Sequence, residues 1–212
     1  MRTRSARRGQ IELNRERSIV TDIESTPQAT SKPQSLVRRR WPTLAGLGFA
    51  ALIAFGLVSG VELAPVLAAS AAVYLGAAAL QRPAAAWPLF LATGVVITVA
   101  RLFDGRVEPT WVILAGAVAL LLYGLLRGAG RPGYGLPLQT AALLGFGVAA
   151  GAALLINPEP GAYLVAAGLL GHAAWDVHHH RTNRVVVRFF AEFCLVLDTA
   201  LAAAIVLVTV LT

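Results

Sequence analysis

The stretch VVRFFAEFCLVLDTALAAAIVLVTVL, residues 186–211, carries only three charged residues in 26 positions. A helix needs about 20 mainly apolar residues to cross the roughly 30 Å of hydrocarbon in a bilayer. Residues 186–211 exceed that length, and the last thirteen of them contain no charge. The stretch therefore predicts a membrane-spanning helix and indicates that the chain is a membrane protein.

Six further apolar stretches of similar length precede this one, and segments rich in Pro and Gly separate them. The sequence therefore predicts an all-α protein, an integral membrane bundle of seven transmembrane helices. The predicted spans are 42–60, 63–81, 86–103, 109–127, 136–156, 160–178 and 186–211.

The first 40 residues differ in composition from everything that follows them. They hold ten of the 18 Lys and Arg residues, although the whole chain is only 14% charged, against about 25% in soluble domains. We predict a disordered basic cytoplasmic tail at 1–40 and a seven-helix transmembrane domain at 41–212. The tail ends in Arg38, Arg39 and Arg40, which we expect to contact anionic lipid headgroups at the bilayer surface. No aromatic residues alternate with the basic ones, so nucleic acid is not an expected partner.

The basic residues also distinguish the two sides of the predicted membrane. With the amino terminus inside, the inside segments hold 16 of the 18 Lys and Arg residues, and the outside segments hold Arg101 and Arg106. Cytoplasmic segments of membrane proteins carry an excess of Lys and Arg. The sequence therefore predicts a multi-pass protein of the cell membrane with a cytoplasmic amino terminus and a carboxyl terminus outside.

A weak internal repeat relates the two halves of the chain. LGF at 47–49 recurs at 144–146, and LGAAALQ at 75–81 aligns with LGHAAWD at 170–176. The offsets predict two parallel three-helix repeats joined by a linking fourth helix. Chance similarity among Ala, Leu and Gly explains the same matches equally well.

All four histidines of the chain lie in GHAAWDVHHHR, residues 171–181. At 100° per residue, one face of the predicted helix carries His172, Asp176, His179 and His180. A short loop leads to the next span, so the two helices should form an antiparallel hairpin with a second aspartate at a similar depth. The residues of this predicted site are His172, Asp176, His179 and Asp198.

Three interpretations fit this site, and the residues alone do not choose between them. The first is a metal ion such as Zn²⁺, because imidazole and carboxylate ligands at i, i+4 and i+7 can converge on one ion. The second is a relay for protons or a small solute, because a histidine paired with a carboxylate titrates near neutral pH. The third is a structural lock, in which buried hydrogen bonds hold two helices together.

The last predicted span carries further polar residues that we expect to support the helix pair. Arg188 and Glu192 are four residues apart, which predicts an ion pair about 120° around the helix from Asp198. Cys194 shares the face of Asp198 and lies one turn nearer the cytoplasm. Because charge in hydrocarbon costs a few kcal/mol or more, these side chains should face the bundle interior.

The segment HAAWDVHHHRTNRVVVRFFAEFCLVLD, residues 172–198, resembles a segment of small bacterial multi-pass membrane proteins without an assigned activity. The chain is also similar to the seven-helix metal-dependent membrane hydrolases of the alkaline ceramidase and adiponectin-receptor type. The similarity lies in helix count, amino-terminal orientation and the use of histidine and aspartate near the cytoplasmic face. It implies a zinc-dependent intramembrane lipid hydrolase with Asp176 or Asp198 as the catalytic base. The chain departs from that family because its four histidines fall within nine residues rather than on different helices.

A non-catalytic membrane scaffold is the remaining alternative, with the basic tail holding a cytoplasmic partner. The sequence alone leaves open whether the protein is an enzyme. Helix faces rich in small residues also permit a homo-oligomer without requiring one.

Overall fold

The fold consists of α-helices joined by short connections, in a computed structural model that describes residues 36–103, 106–131 and 135–211. No β-strand occurs within these ranges, which confirms the predicted all-α class. Two short 3-10 helices, Gly60–Leu63 and Pro83–Ala85, precede α2 and α3. The seven α-helices are α1 (Leu36–Ala54), α2 (Ala64–Ala79), α3 (Ala86–Leu102), α4 (Pro109–Leu126), α5 (Leu136–Ala153), α6 (Pro158–Thr182) and α7 (Arg188–Leu211).

Five of the helical segments are long and apolar enough to cross a membrane. They are α2 and α3, each with its preceding 3-10 turn, together with α4, α5 and α7. The other two α-helices are more polar, since α1 begins with an arginine cluster and α6 contains all four histidines. The chain is therefore a helical membrane bundle, with an α-helix for each of the seven predicted spans.

The first helix differs from its predicted span, 42–60, at both ends. It begins at Leu36, so Arg38–Arg40 lie in its first turns, and it ends at Ala54. Gly56 follows with φ +85°. This left-handed conformation costs a glycine little, and it commonly ends helices. A glycine inside an apolar run thus ends α1 earlier than hydropathy alone predicts.

Helix α2 is the most enclosed of the five candidate spans. It packs against α3, α4, α5 and α6. Half of its 16 residues are alanine, and such small side chains let neighbouring helices approach closely. At Gly124 of α4, an added Cβ would lie only 2.8 Å from the Cβ of Ala79. Glycine at that position therefore allows α4 to lie against α2.

Helices α6 and α7 form the predicted antiparallel hairpin. Asn183, with φ +51°, ends α6 in the left-handed conformation, and α7 begins five residues later. Side chains pair across the two helices as His180 with Glu192 and as His172 with Asp198. The later residue of α6 pairs with the earlier residue of α7, and the earlier with the later, as an antiparallel arrangement requires.

Several predictions are not tested by these helices. The internal repeat, the homo-oligomer and the orientation of the chain in the membrane stay predictions. Residues 1–35 of the predicted disordered tail lie outside the described residues. Residues 36–40, which the prediction included in the tail, are the first residues of α1. From Arg40 onward the chain forms one compact unit.

Candidate functional site

Three polar side chains from α6 and α7 meet in the interior of the bundle. His172 and Asp176 lie one turn apart on α6, and Asp198 reaches them from α7. All three residues are fully buried, with 0% of their surface exposed. The i, i+4 spacing places the two α6 side chains on one face, and the short hairpin brings the α7 carboxylate to the same depth. We call these three residues the His/Asp cluster.

The distances within the His/Asp cluster are short. Nδ1 of His172 lies 2.9 Å from Oδ2 of Asp198 and 3.5 Å from Oδ2 of Asp176. One ligand atom from each residue lies within 4.8 Å of the other two. Imidazole nitrogen and carboxylate oxygen are ligands for Zn²⁺ and related divalent ions, so the cluster is able to hold a metal ion.

Helix α2 adds two hydroxyl groups to the cluster, and the sequence pattern did not identify either of them. Tyr74 is buried and donates a hydrogen bond from Oη to Oδ1 of Asp176. The side chain of Ser70 lies beside Asp198 and donates to the carbonyl oxygen of Val66. Ser70 and Tyr74 are the only polar side chains of α2, and they are four residues apart. That spacing puts both on one helix face, so the sequence pattern could have identified this face as a polar one.

Each member of the cluster keeps one polar atom without a hydrogen-bond partner among the described residues. These atoms are Nε2 of His172, Oδ2 of Asp176 and Oδ1 of Asp198. A buried polar atom left unpaired costs about 1–3 kcal/mol, and native interiors contain few of them. The hydrogen bonds of the described residues therefore leave the polar atoms of the cluster only partly paired, which leaves room for a further partner such as a metal ion or a proton.

The charge of the cluster is not balanced by any arginine of the described region. Every arginine whose side chain is described is exposed, whereas both carboxylates are fully buried. A buried unpaired charge is strongly unfavourable. The two carboxylates must therefore be neutralised within the cluster, by protons or by a bound cation.

His179 stands apart from the His/Asp cluster, although it shares the predicted face. Nε2 of His179 lies 2.9 Å from Nε2 of Gln139, and Nδ1 lies 2.9 Å from the carbonyl oxygen of Trp175. The indole of Trp175 donates to Oε1 of Gln139 at 3.2 Å. Because the amide nitrogen can only donate, Nε2 of His179 must accept, and its proton resides on Nδ1. Both ring nitrogens are thus used, and His179 holds α5 against α6.

The polar residues at the start of α7 contact other partners than the sequence predicts. The predicted ion pair between Arg188 and Glu192 does not occur: Arg188 is exposed and lies in no ion pair of the described region. Glu192 instead accepts a hydrogen bond from Thr43 at 2.6 Å and lies 4.0 Å from Nε2 of His180. The carboxylate therefore faces its neighbours on α1 and α6, which a pattern along one helix could not reveal.

The remaining predicted residues lie as follows. Cys194 is buried, on the same helix as Asp198 and close to both carboxylates of the cluster. Arg40 is exposed. The side chains of Arg38 and Arg39 lie outside the described part of the chain.

Comparison of the chain with family models, with curated proteins and with solved structures finds no match. The two resemblances drawn from residues 172–198 and from the helix count therefore stay predictions. What the protein does has to be inferred from the His/Asp cluster itself.

Proposed function

We propose that this membrane protein binds one divalent metal ion in the His/Asp cluster, with His172, Asp176 and Asp198 as its protein ligands. The observation that carries the proposal is the convergence of one ligand atom from each residue within 4.8 Å in a fully buried interior. An imidazole with two carboxylates suits Zn²⁺, so Zn²⁺ is the first ion to test.

The spacing of the ligand atoms supports this proposal. Zinc bonds to nitrogen and oxygen are about 2.0–2.2 Å long, which separates neighbouring ligand atoms of a tetrahedral ion by about 3.3–3.6 Å. Nδ1 of His172 already lies 3.5 Å from Oδ2 of Asp176 and 2.9 Å from Oδ2 of Asp198. The first separation already fits, the second has to lengthen by a few tenths of an ångström, and all three ligand atoms lie within 4.8 Å of one another. Three protein ligands leave the fourth position for water or a substrate.

The electrostatics support the same conclusion. Two ionised carboxylates and a neutral imidazole carry a charge of minus two, and one divalent cation balances it. An arginine is not available for this purpose, because every arginine with a described side chain is exposed. The hydroxyl of Tyr74 donates to Asp176, and such outer hydrogen bonds orient metal-binding carboxylates.

A second candidate function is a proton relay through the same three residues. The hydrogen bond of 2.9 Å between His172 and Asp198 favours it, because a histidine with a carboxylate partner can accept and release a proton within a membrane. The two functions differ in one measurable property, the metal content of the protein.

We also place the protein in the cell membrane with its amino terminus in the cytoplasm. The placement of 16 of the 18 Lys and Arg residues on one predicted side supports this orientation. On that side, Arg38, Arg39 and Arg40 would meet anionic lipid headgroups.

The metal content of the purified full-length protein tests the proposal. The protein, without an affinity tag, is stripped with a chelator, loaded with Zn²⁺, desalted and analysed for metal. We expect about one equivalent, and loss of that equivalent on His172→Ala and on Asp198→Asn. His178→Ala is the matched control, since it removes an exposed histidine from the same helix.

The outcomes separate the candidates. Asparagine has nearly the shape of aspartate, so Asp198→Asn keeps the packing even if His172→Ala does not fold. A wild-type protein that binds no Zn²⁺, Mn²⁺ or Fe²⁺ refutes the metal site. If Asp198→Asn then abolishes proton flux into vesicles, the relay is correct. If it changes only thermal stability, the cluster is a structural lock.

A further inference from the structure

An apolar groove runs along the bundle between α1 and α3, with α2 and α7 as its floor. Its volume is about 460 Å³, which is within the usual range of about 300–1,000 Å³ for ligand sites. We propose that this groove binds one acyl chain of an anionic phospholipid whose phosphate lies at Arg101. The site is distinct from the His/Asp cluster and does not depend on the metal proposal.

The groove exists because α1 packs closely on its neighbours over only part of its length. Phe49 contacts the rings of Phe90 and Phe193, with centroid distances of 5.5 and 6.2 Å. A Cβ on Gly46 would lie 2.7 Å from the carbonyl oxygen of Phe193. Phe55, just past the end of α1, is 89% exposed by contrast. The gap therefore opens after the Phe49 contacts, towards the lipid.

The walls of the groove offer hydrocarbon and no free hydroxyl donor from α3. Thr93 donates to the carbonyl oxygen of Phe90, and Thr98 donates to that of Gly94. Their hydroxyls are thus satisfied within the helix, so a polar ligand would gain little from them. An alkyl chain fits this lining. The apolar lining includes Ile53, Val66, Val73, Ile97 and Leu197.

The groove is long and has its charge at one end. Along α3 it extends from Phe90 to Leu102, a rise of about 18 Å at 1.5 Å per residue. That length is more than half of the hydrocarbon thickness of a bilayer, about 30 Å. Arg101, at the end of α3, is the only charged one among the described residues that line the groove. An alkyl chain bound there would place an anionic headgroup beside the guanidinium.

Among the described residues, Arg101 has no ion-pair partner that would compete with a headgroup. Its side chain is exposed. Two carboxylates line a neighbouring cavity with it, and neither forms an ion pair with Arg101 in the described region. Glu62 accepts from the backbone N–H of Ser59, and Glu108 accepts from the backbone N–H and the hydroxyl of Thr110.

The inner part of the groove lies next to the His/Asp cluster, but no residue of the cluster lines the groove. Ser70 and Cys194 line the groove, and both lie near Asp198. Asp198 itself is fully buried and does not line the groove. Filling the groove should therefore leave metal content unchanged, so a failure of one proposal is distinguishable from a failure of the other.

Native mass spectrometry of the full-length protein with added phosphatidylglycerol or phosphatidylcholine tests the lipid site. Gly94 lines the groove, and a Cβ there would meet no atom within 4 Å. Gly94→Phe should fill the groove without disturbing the fold and should remove one bound phosphatidylglycerol. Gly145→Phe is the matched control, because Gly145 also has open space around it but does not line the groove.

Arg101→Gln supplies an independent measurement. It should keep the bound chain but lower the preference for phosphatidylglycerol over phosphatidylcholine by about fivefold, the contribution of one basic residue near an anionic headgroup. Equal lipid retention by Gly94→Phe and Gly145→Phe would overturn the proposal. So would a preference that Arg101→Gln does not change, or a wild-type protein that holds no lipid more tightly than Gly94→Phe does.

Discussion

Tyr74 donates a hydrogen bond to Asp176, a residue 102 positions further along the chain. Its ring also meets the edges of two histidines, with centroids 5.1 Å from His172 and 5.0 Å from His179. One tyrosine of the central helix thus lies between the His/Asp cluster and the separate network of His179. The two networks are neighbours through α2, although each has its own hydrogen bonds.

Tyr74→Phe removes the hydroxyl and keeps the ring. We expect the fold to survive, because the ring contacts with His172 and His179 remain. Oδ1 of Asp176 loses its donor, and outer hydrogen bonds of this kind typically contribute about 10–100-fold to metal affinity. A competition titration with a chromophoric zinc chelator should therefore show weaker binding by that factor. Tyr123→Phe, at an exposed tyrosine of α4, should leave the affinity unchanged.

A purely structural role for Tyr74 predicts a different result. In that case, Tyr74→Phe lowers the melting temperature but leaves zinc affinity equal to that of the Tyr123→Phe control. Affinity and melting temperature are therefore measured on the same samples.

Gln139→Leu is expected to lower stability without affecting the metal. Gln139 is 1% exposed, and its loss leaves Nε2 of His179 and the indole N–H of Trp175 unpaired. A buried unpaired group costs about 1–3 kcal/mol, so the free energy of unfolding should fall by at least that amount. Zinc content should stay at the wild-type value.

The double variant Gln139→Leu with His179→Phe is the informative control. Replacing both partners of a buried hydrogen bond by apolar groups is often close to neutral, so the second substitution should recover part of the lost stability. Loss of zinc in Gln139→Leu would contradict the separation between His179 and the His/Asp cluster.

Much of this architecture could be predicted from the sequence because the signals are local. Hydropathy identified the helices, and helical spacing placed His172 and Asp176 on one face. The pairing with Asp198 followed from a short hairpin. Contacts between helices distant in the chain were not predictable, because they depend on how the bundle packs. Tyr74 and Gln139 belong to this second kind.

Glu192 shows the same limit. Spacing along α7 predicted an ion pair with Arg188, but the carboxylate lies against Thr43 of α1 and His180 of α6. The spacing along one helix indicates which residues share a face, but it does not indicate which other helix packs against that face. A partner on another helix then replaces the one expected four residues away.

Thr43→Val should weaken the attachment of α1. The hydroxyl of Thr43 donates to Oε1 of Glu192 at 2.6 Å, and a hydrogen bond to a charged group contributes about 1.5–3 kcal/mol. Because Glu192 is partly exposed, water replaces some of this loss, and we expect the lower end of that range. Hydrogen exchange should show faster opening of α1 with α4 and α5 unchanged. Thr199→Val, which removes only a bond within α7, should not change α1.

Two glycine substitutions on α4 should have effects of opposite sign. Alanine favours a helix over glycine by up to about 1 kcal/mol, so Gly116→Ala should stabilise the protein, because its Cβ would meet no atom within 4 Å. Gly124→Ala places a Cβ 2.8 Å from the Cβ and 2.9 Å from the Cα of Ala79. A backbone atom cannot move aside as a side chain can, so α2 and α4 must separate. Overpacking of this kind costs about 1–3 kcal/mol, which exceeds the gain in helix propensity. Thermal unfolding of the two variants in the same detergent measures both effects, and a Gly124→Ala protein as stable as Gly116→Ala would mean that α2 and α4 lie further apart than described.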